Sequence, residues 1–339
     1  IVLIQLLAIF GWFNIVAMTV LAAVGVTLAF IAARAWTAQS PLPKPLSFAE
    51  KSALVVLIAV VLRTVLMPFS PATEWDEVMY HLPHARQWAE SGSLSVNHWL
   101  RFAWFPYNFD LLYAVAMLFS DEVMAHLFHA WAGWLCALMV YQVMLQLTDR
   151  LQAMIAAIIW MSVSDNFYGS AMIELGLSLF LFAACVAFWQ WWSDRRGDRQ
   201  WLYLAAFLLG VAAGSKYLPL VYVPLFALAL LIIERRLLPM LVSAACFLVP
   251  CVYWYARNFI LTGDPFNPFG AAVFGYTDWS ASDIAGQFNY TSSHSGWPPW
   301  LLWPALIAIF SPATWKHTGW RMAAIFAVWA LVSWYFLTG

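Results

Sequence analysis

SALVVLIAVVLRTVLMPFSPATEWDEVMYHLPHARQWAESGSL, residues 52–94, passes from an apolar run directly into a charged one. Residues 52–69 hold a single charge, Arg63, and are long enough for a helix to cross bilayer hydrocarbon, which takes roughly 17–25 residues. Residues 73–94 then gather Glu74, Asp76, Glu77, Glu90, His81 and His84. A chain that leaves lipid and at once becomes acidic reads as a membrane span opening a polar loop outside the bilayer.

Working outward, similar runs recur at 14–33, 123–147, 152–168, 173–193, 201–215, 217–233, 237–261, 297–313 and 321–337, with the shortest of them, 201–215, ending near Gly214. Of the 339 residues 64% are hydrophobic and 10% are charged. Lipid offers the backbone no hydrogen-bond partner, so spans are helices or closed barrels, and the runs lack the alternation of strands. The expected fold class is an all-α polytopic membrane protein, a single transmembrane domain over 1–339 with about ten transmembrane helices. The chain opens without Met and closes in or just after an apolar run, and so reads as cut from a longer protein at both ends.

A net charge of −1 gives nucleic acid nothing to bind. Cys136, Cys185, Cys246 and Cys251 all fall inside apolar runs, as small packing residues do.

Charge orients the chain. Arg34, Lys44, Lys51, Arg150, Arg195, Arg196, Arg199, Arg235, Arg236, Lys316 and Arg321 fall on alternate connections, as cytoplasmic loops require. The opposite connections hold most of the acids, among them Asp76, Asp110, Asp165, Glu174 and Asp264. This alternation needs DLLYAVAMLFS, 110–120, to lie in the interface or re-enter instead of crossing. The two long loops, 70–122 and 262–296, then share the outer, acidic side, and their Trp, Phe and Tyr content suits the membrane interface.

The first of these loops carries candidate chemistry. Thr73 with Asp76 makes a capping-box start, Pro83 an interruption and Gly92 a stop, giving an interfacial helix over 74–91. Helical spacing puts Asp76 with Tyr80, Glu77 with His81, and Tyr80 with His84 on shared faces. The plain reading is an acidic helix start favoured by the helix dipole. The sharper one is a carboxylate general base, its pKa raised by burial against Trp75 and lipid. A metal held by Asp76, His81 or His84 is an open alternative, although the spacing demands no coordination geometry. Lys216, after GVAAGS at an outer helix end, is either a snorkelling anchor or a phosphate ligand, with Gly214 and Ser215 small enough to allow close approach. Arg63, inside a span, needs an acidic partner.

WDEVMYHLPHARQWAESGSL, opening a long outer loop after a span, resembles the Asp-Glu motif of GT-C superfamily glycosyltransferases. The most similar branch holds protein O-mannosyltransferases and the aminoarabinose transferases of lipid A. The resemblance implies an integral protein, expected in a bacterial inner membrane with its site facing the periplasm. It implies a polyprenyl-phosphate sugar as donor, membrane lipid as partner, and a loop carboxylate as base, Asp76 first and Glu77 second. Tyr80, His81 and His84 are expected to line the substrate cavity. In SDNFYGSAMIELGLSLF, 164–180, Glu174 fills the place where relatives carry a second acid, and it is expected to face the same cavity as Asp76. WYARNFILTGDPFNPFG, 254–270, resembles the Arg-Asn and Thr-Gly-x-Pro segment of bacterial relatives, which makes Arg257 a second donor-phosphate ligand beside Lys216. Sugar, acceptor and any divalent metal stay open. The rival class is a transporter whose intramembrane charges, Arg63 and Glu174, mark a pathway.

Overall fold

The structure, a computed structural model, describes residues 1–35, 45–193, 198–234, 236–294 and 303–338. Lys44, Arg195, Arg196, Arg235 and the start of the expected span at 297–313 lie outside the described residues. Among those described, every regular element is helical and no strand is present. The chain forms two compact units, Ile1–Ala103 with Tyr107–Leu179, and Trp104–Pro106 with Phe180–Gly339.

The first unit contains α1 (Val2–Ile9), α2 (Ile15–Ala35), α3 (Phe48–Leu66), α4 (Leu82–Ser91), α5 (Asp110–Phe119), α6 (Glu122–Leu147), α7 (Arg150–Val163) and the start of α8 (Glu174–Ser193). Ser47 opens α3 with a capping box to Glu50, and Asp121 and Asp149 cap α6 and α7. Each side chain accepts an N–H that the first turn leaves orphaned. α6 packs on α5 and α7, α3 on α7, and α4 on α5. Trp88, Tyr107, Phe109 and Tyr113 are buried almost completely, so the core under the first long loop is aromatic. At 10 residues α5 is about 15 Å long, too short to cross, as the charge alternation requires.

Before α4 the ladder changes. Glu77–His81 form a π-helical turn, with Leu82 N–H bonded to Glu77 C=O. Pro83 has no N–H to give to the carbonyl one α-turn back, and this loss of a donor is the local cause of the wider turn. Gly92 ends α4 in the left-handed region at φ 69°.

The second unit contains the rest of α8, then α9 (Gln200–Ala213), α10 (Val223–Ile233), α11 (Leu237–Thr262), α12 (Ala271–Phe274), α13 (Ala281–His294), α14 (Trp303–Ala308), α15 (Pro312–Lys316) and α16 (Thr318–Thr338). Phe188, Trp191, Leu209, Phe226 and Met322 share its apolar core. α9 and α11 meet at Gly210, where an added Cβ would stand 2.1 Å from Phe247 C=O.

Among the described residues five helices are long and apolar enough to cross a membrane: Ile15–Arg34, Phe48–Phe69, Glu122–Leu147, Glu174–Ser193 and Leu237–Thr262. The runs expected at 152–168, 201–215 and 217–233 form shorter helices, α7, α9 and α10, the first and last joined to 3-10 turns at Asp165–Phe167 and Leu218–Tyr222. The described part of 297–313 is broken into α14 and the start of α15.

Polar ties join connections of like expected side. Arg150 pairs with Glu50 at 2.6 Å and Arg199 with Glu234 at 2.9 Å, both between connections read as cytoplasmic. Arg63 pairs with Asp165 at 2.8 Å and Ser70 Oγ lies 3.2 Å from Gly169 C=O, both among segments read as outer. The need of Arg63 for an acid is thereby met.

Candidate active site

Asp76 and Glu77 adjoin in sequence and differ in environment. Asp76 is half-buried, and its Oδ2 accepts a 2.7 Å hydrogen bond from Tyr80 O–H, as their spacing suggests. Glu77 is fully buried. Its Oε2 accepts the N–H groups of Thr73 at 3.2 Å and Glu74 at 3.3 Å; its Oε1 accepts Ala171 N–H at 2.7 Å and meets His126 Nε2. The helix start expected from Thr73 is therefore capped by Glu77. Burial alone would raise the Glu77 pKa, but the bonds from His126, Ala171 and Glu74 outweigh it and hold the carboxyl below its usual range. That reverses the direction expected of a base at Glu77. Trp75 is half exposed, and its ring lies under the Arg101 guanidinium at 5.3 Å instead of covering a carboxylate.

The expected Glu77–His81 face does not form. A π turn carries more than 3.6 residues, so the i and i+4 side chains drift apart. His81 Nδ1 instead lies 2.5 Å from Asp110 Oδ1, with both residues buried. Tyr80 is buried between His81 and Phe102, with ring centroids at 4.2 and 4.9 Å. His84 Nε2 lies 3.1 Å from Arg101 C=O, and its ring is 4.9 Å from that of Tyr107.

Glu174 is the first residue of α8, half-buried, with Oε2 accepting Ile173 N–H at 2.9 Å. Burial, then the charge of Asp76, the bond to it and the charge of Glu174 raise the Tyr80 pKa, so both acids act on one phenol. Two histidines that sequence reading passed over fix this arrangement. His126 lies against Glu77, with its Nδ1 3.0 Å from Pro68 C=O. His129 Nε2 accepts Leu175 N–H at 3.0 Å in the first turn of α8, and its Nδ1 faces Ser170 C=O at 2.9 Å. Their i, i+3 spacing on one helix face was the available signal. Asp110 was read only as an outer acid. The first unit therefore brings together Asp76, Glu77, Tyr80, His81, His84 and Glu174.

In the second unit, Lys216 is half-buried just beyond α9. Its neighbour Ser215 is buried and gives its hydroxyl to Val211 C=O at 2.9 Å. Arg257, 8% exposed near the end of α11, has its guanidinium over the rings of Trp254 at 4.9 Å and Trp104 at 5.6 Å. It donates to Asn258 Oδ1 at 2.9 and 3.1 Å. Tyr217 O–H, 2.9 Å from Asn267 C=O, and Asn258, 2.6 Å from Trp104 C=O, hold the surrounding turns. Gly263 supplies the expected stop, at φ 79°. Among the described residues no three His, Cys, Asp or Glu side chains are grouped to hold a metal ion.

The sequence profile described as dolichyl-phosphate-mannose-protein mannosyltransferase matches residues 53–275. An uncharacterized protein of Shigella flexneri is 29% identical over 138 residues, which is 40% of this chain and 69% of that protein. A second uncharacterized protein of the same organism is 31% identical over 61 residues, 18% of this chain and 33% of its own length. No solved structure matches the chain.

Proposed function

The chain belongs to the dolichyl-phosphate-mannose-protein mannosyltransferase family, a glycosyltransferase family of the GT-C superfamily, and on that premise we propose that it moves a sugar from a polyprenyl-phosphate carrier to an acceptor hydroxyl at the outer face of the membrane, with inversion at the anomeric carbon. Asp76 is the base. Of the two adjacent acids it alone is partly open, and Tyr80 holds one of its oxygens while Glu77 is saturated by hydrogen bonds within the fold. This contrast is the observation that carries the reading.

In the reaction, Asp76 takes the proton of the acceptor hydroxyl as its oxygen attacks the anomeric carbon. The bond from that carbon to the phosphate oxygen breaks, and polyprenyl phosphate leaves with the electron pair. Lys216 and Arg257 offset the charge growing on the leaving group. Glu174 positions the acceptor. The aromatic residues of the outer loops suit the lipid end of the donor.

The test is donor consumption by membranes containing the protein, supplied with radiolabelled polyprenyl-phosphate sugars. Asp76→Asn should lower turnover by ~10² or more with donor binding kept. Lys216→Met should weaken donor binding by about 1.5–3 kcal/mol, the size of a charge-assisted contact. A parent protein that consumes no such donor, or two variants that match it, would remove the assignment.

A further inference from the structure

His81 carries chemistry that the proposed reaction leaves unused. It is 3% exposed, its Nδ1 lies 2.5 Å from Asp110 Oδ1, and its Nε2 is buried with no hydrogen-bond partner among the described residues. A carboxylate only accepts, so Nδ1 bears the hydrogen, and Nε2 is left to accept in the neutral ring or to donate in the imidazolium. A buried polar atom with no partner bears its full desolvation cost. A hydroxyl completes Nε2 in either state, because it both donates and accepts.

The surroundings narrow the choice further. The Tyr80 phenol, whose ring is 4.2 Å from that of His81, feels the charges of Asp76 and Glu174. Tyr113, one helical turn along α5 from Asp110, feels Asp110, Glu174 and Glu77. The acids beside these two phenols, with Asp110 on the imidazole itself, disfavour an anion and suit a neutral polyol. Tyr80 also links the buried ring to the half-exposed acid, since its hydroxyl donates to Asp76. The segment is a π turn, a wide turn found often at functional sites, and Tyr107 packs edge-on to the imidazole at 6.5 Å.

We propose that His81 Nε2, its ring held by Asp110, shares a hydrogen bond with one hydroxyl of the donor's sugar ring, which makes His81 a specificity-determining residue. The inference rests on the polyprenyl-phosphate-sugar reading and assigns one contact of that donor's sugar.

The experiment compares kcat/KM for the consumed donor and for its monodeoxy analogues, on the parent and on His81→Phe, which keeps a flat ring and removes both nitrogens. On the parent, loss of one particular ring hydroxyl should lower kcat/KM by about tenfold to a hundredfold, the reach of one buried hydrogen bond. His81→Phe should use that analogue and the complete donor equally. Discrimination that is the same in both proteins overturns the inference. So does discrimination that follows the acceptor's hydroxyls and ignores the donor's.

Because His81→Phe leaves Asp110 without its imidazole and risks misfolding, a second measurement uses the unmodified protein. In its 15N-histidine spectrum the Nε2 resonance of His81 should move on saturation with donor and stay put with the critical deoxy analogue. A resonance that ignores the donor overturns the inference. A parent that consumes no polyprenyl-linked sugar defeats the functional reading itself, whereas an active parent whose His81 arms fail loses only this contact.

Discussion

At the scale of the residue, two adjacent carboxylates divide the work. Asp76, half-buried, has one oxygen held by Tyr80, and Glu77 ties residues 73–74 to Ala171 and His126. Glu77→Gln keeps the shape but points an amide into a nest of donors, so it should cost about 3–5 kcal/mol, as the loss of one partner in a buried charged pair does. Thermal unfolding in detergent measures it. The pH dependence has a fixed sign. The folded-state pKa of Glu77 lies below its ordinary value near 4.5, so its contribution is complete above that pH and disappears as pH falls through the folded value. The gap between parent and Glu77→Gln should therefore narrow only below about pH 4.5; a gap constant into acid would refute the role. The pair was legible in the sequence as an acidic motif. The burial of Glu77 was not, because its partners lie 49 and 94 residues away.

At the scale of the element, apolar length located most helices to within a few residues, and Gly92 and Gly263 marked their stops at positive φ. The wide turn at 77–81 escaped, since it depends on how the ladder relaxes around Pro83, and i, i+4 logic then misassigned His81. Close approach of helices is likewise hidden in sequence. Gly210→Ala would drive a methyl to 2.1 Å from Phe247 C=O and force α9 off α11, at about 1–3 kcal/mol. Gly286→Ala in α13 meets nothing within 4 Å and should be neutral or stabilising by roughly 0.5–1 kcal/mol. Melting midpoints of the two variants in one detergent should move in opposite directions or at least differ; equal shifts would contradict the packing.

At the scale of the whole molecule, charge alternation predicts that Ser193 faces the cytoplasm and Ser282 the outside. Cysteines placed there should react with an impermeant maleimide from opposite sides of sealed vesicles, and labelling from one side would reverse the topology. One helix gives the first unit a further property. Only 6% of the α2 span is buried among the described residues, and at 21 residues it is about 31 Å long, close to the ~30 Å of hydrocarbon. Its foot is fastened, since buried Phe13 gives its N–H to Gly92 C=O at the end of α4, the helix that continues the turn of Tyr80 and His81. A bilayer thinner than α2 makes the helix lean, and the lean acts on that fastening. A change of acyl-chain length should then be felt at the end of α4, where the Phe13 N–H meets Gly92 C=O.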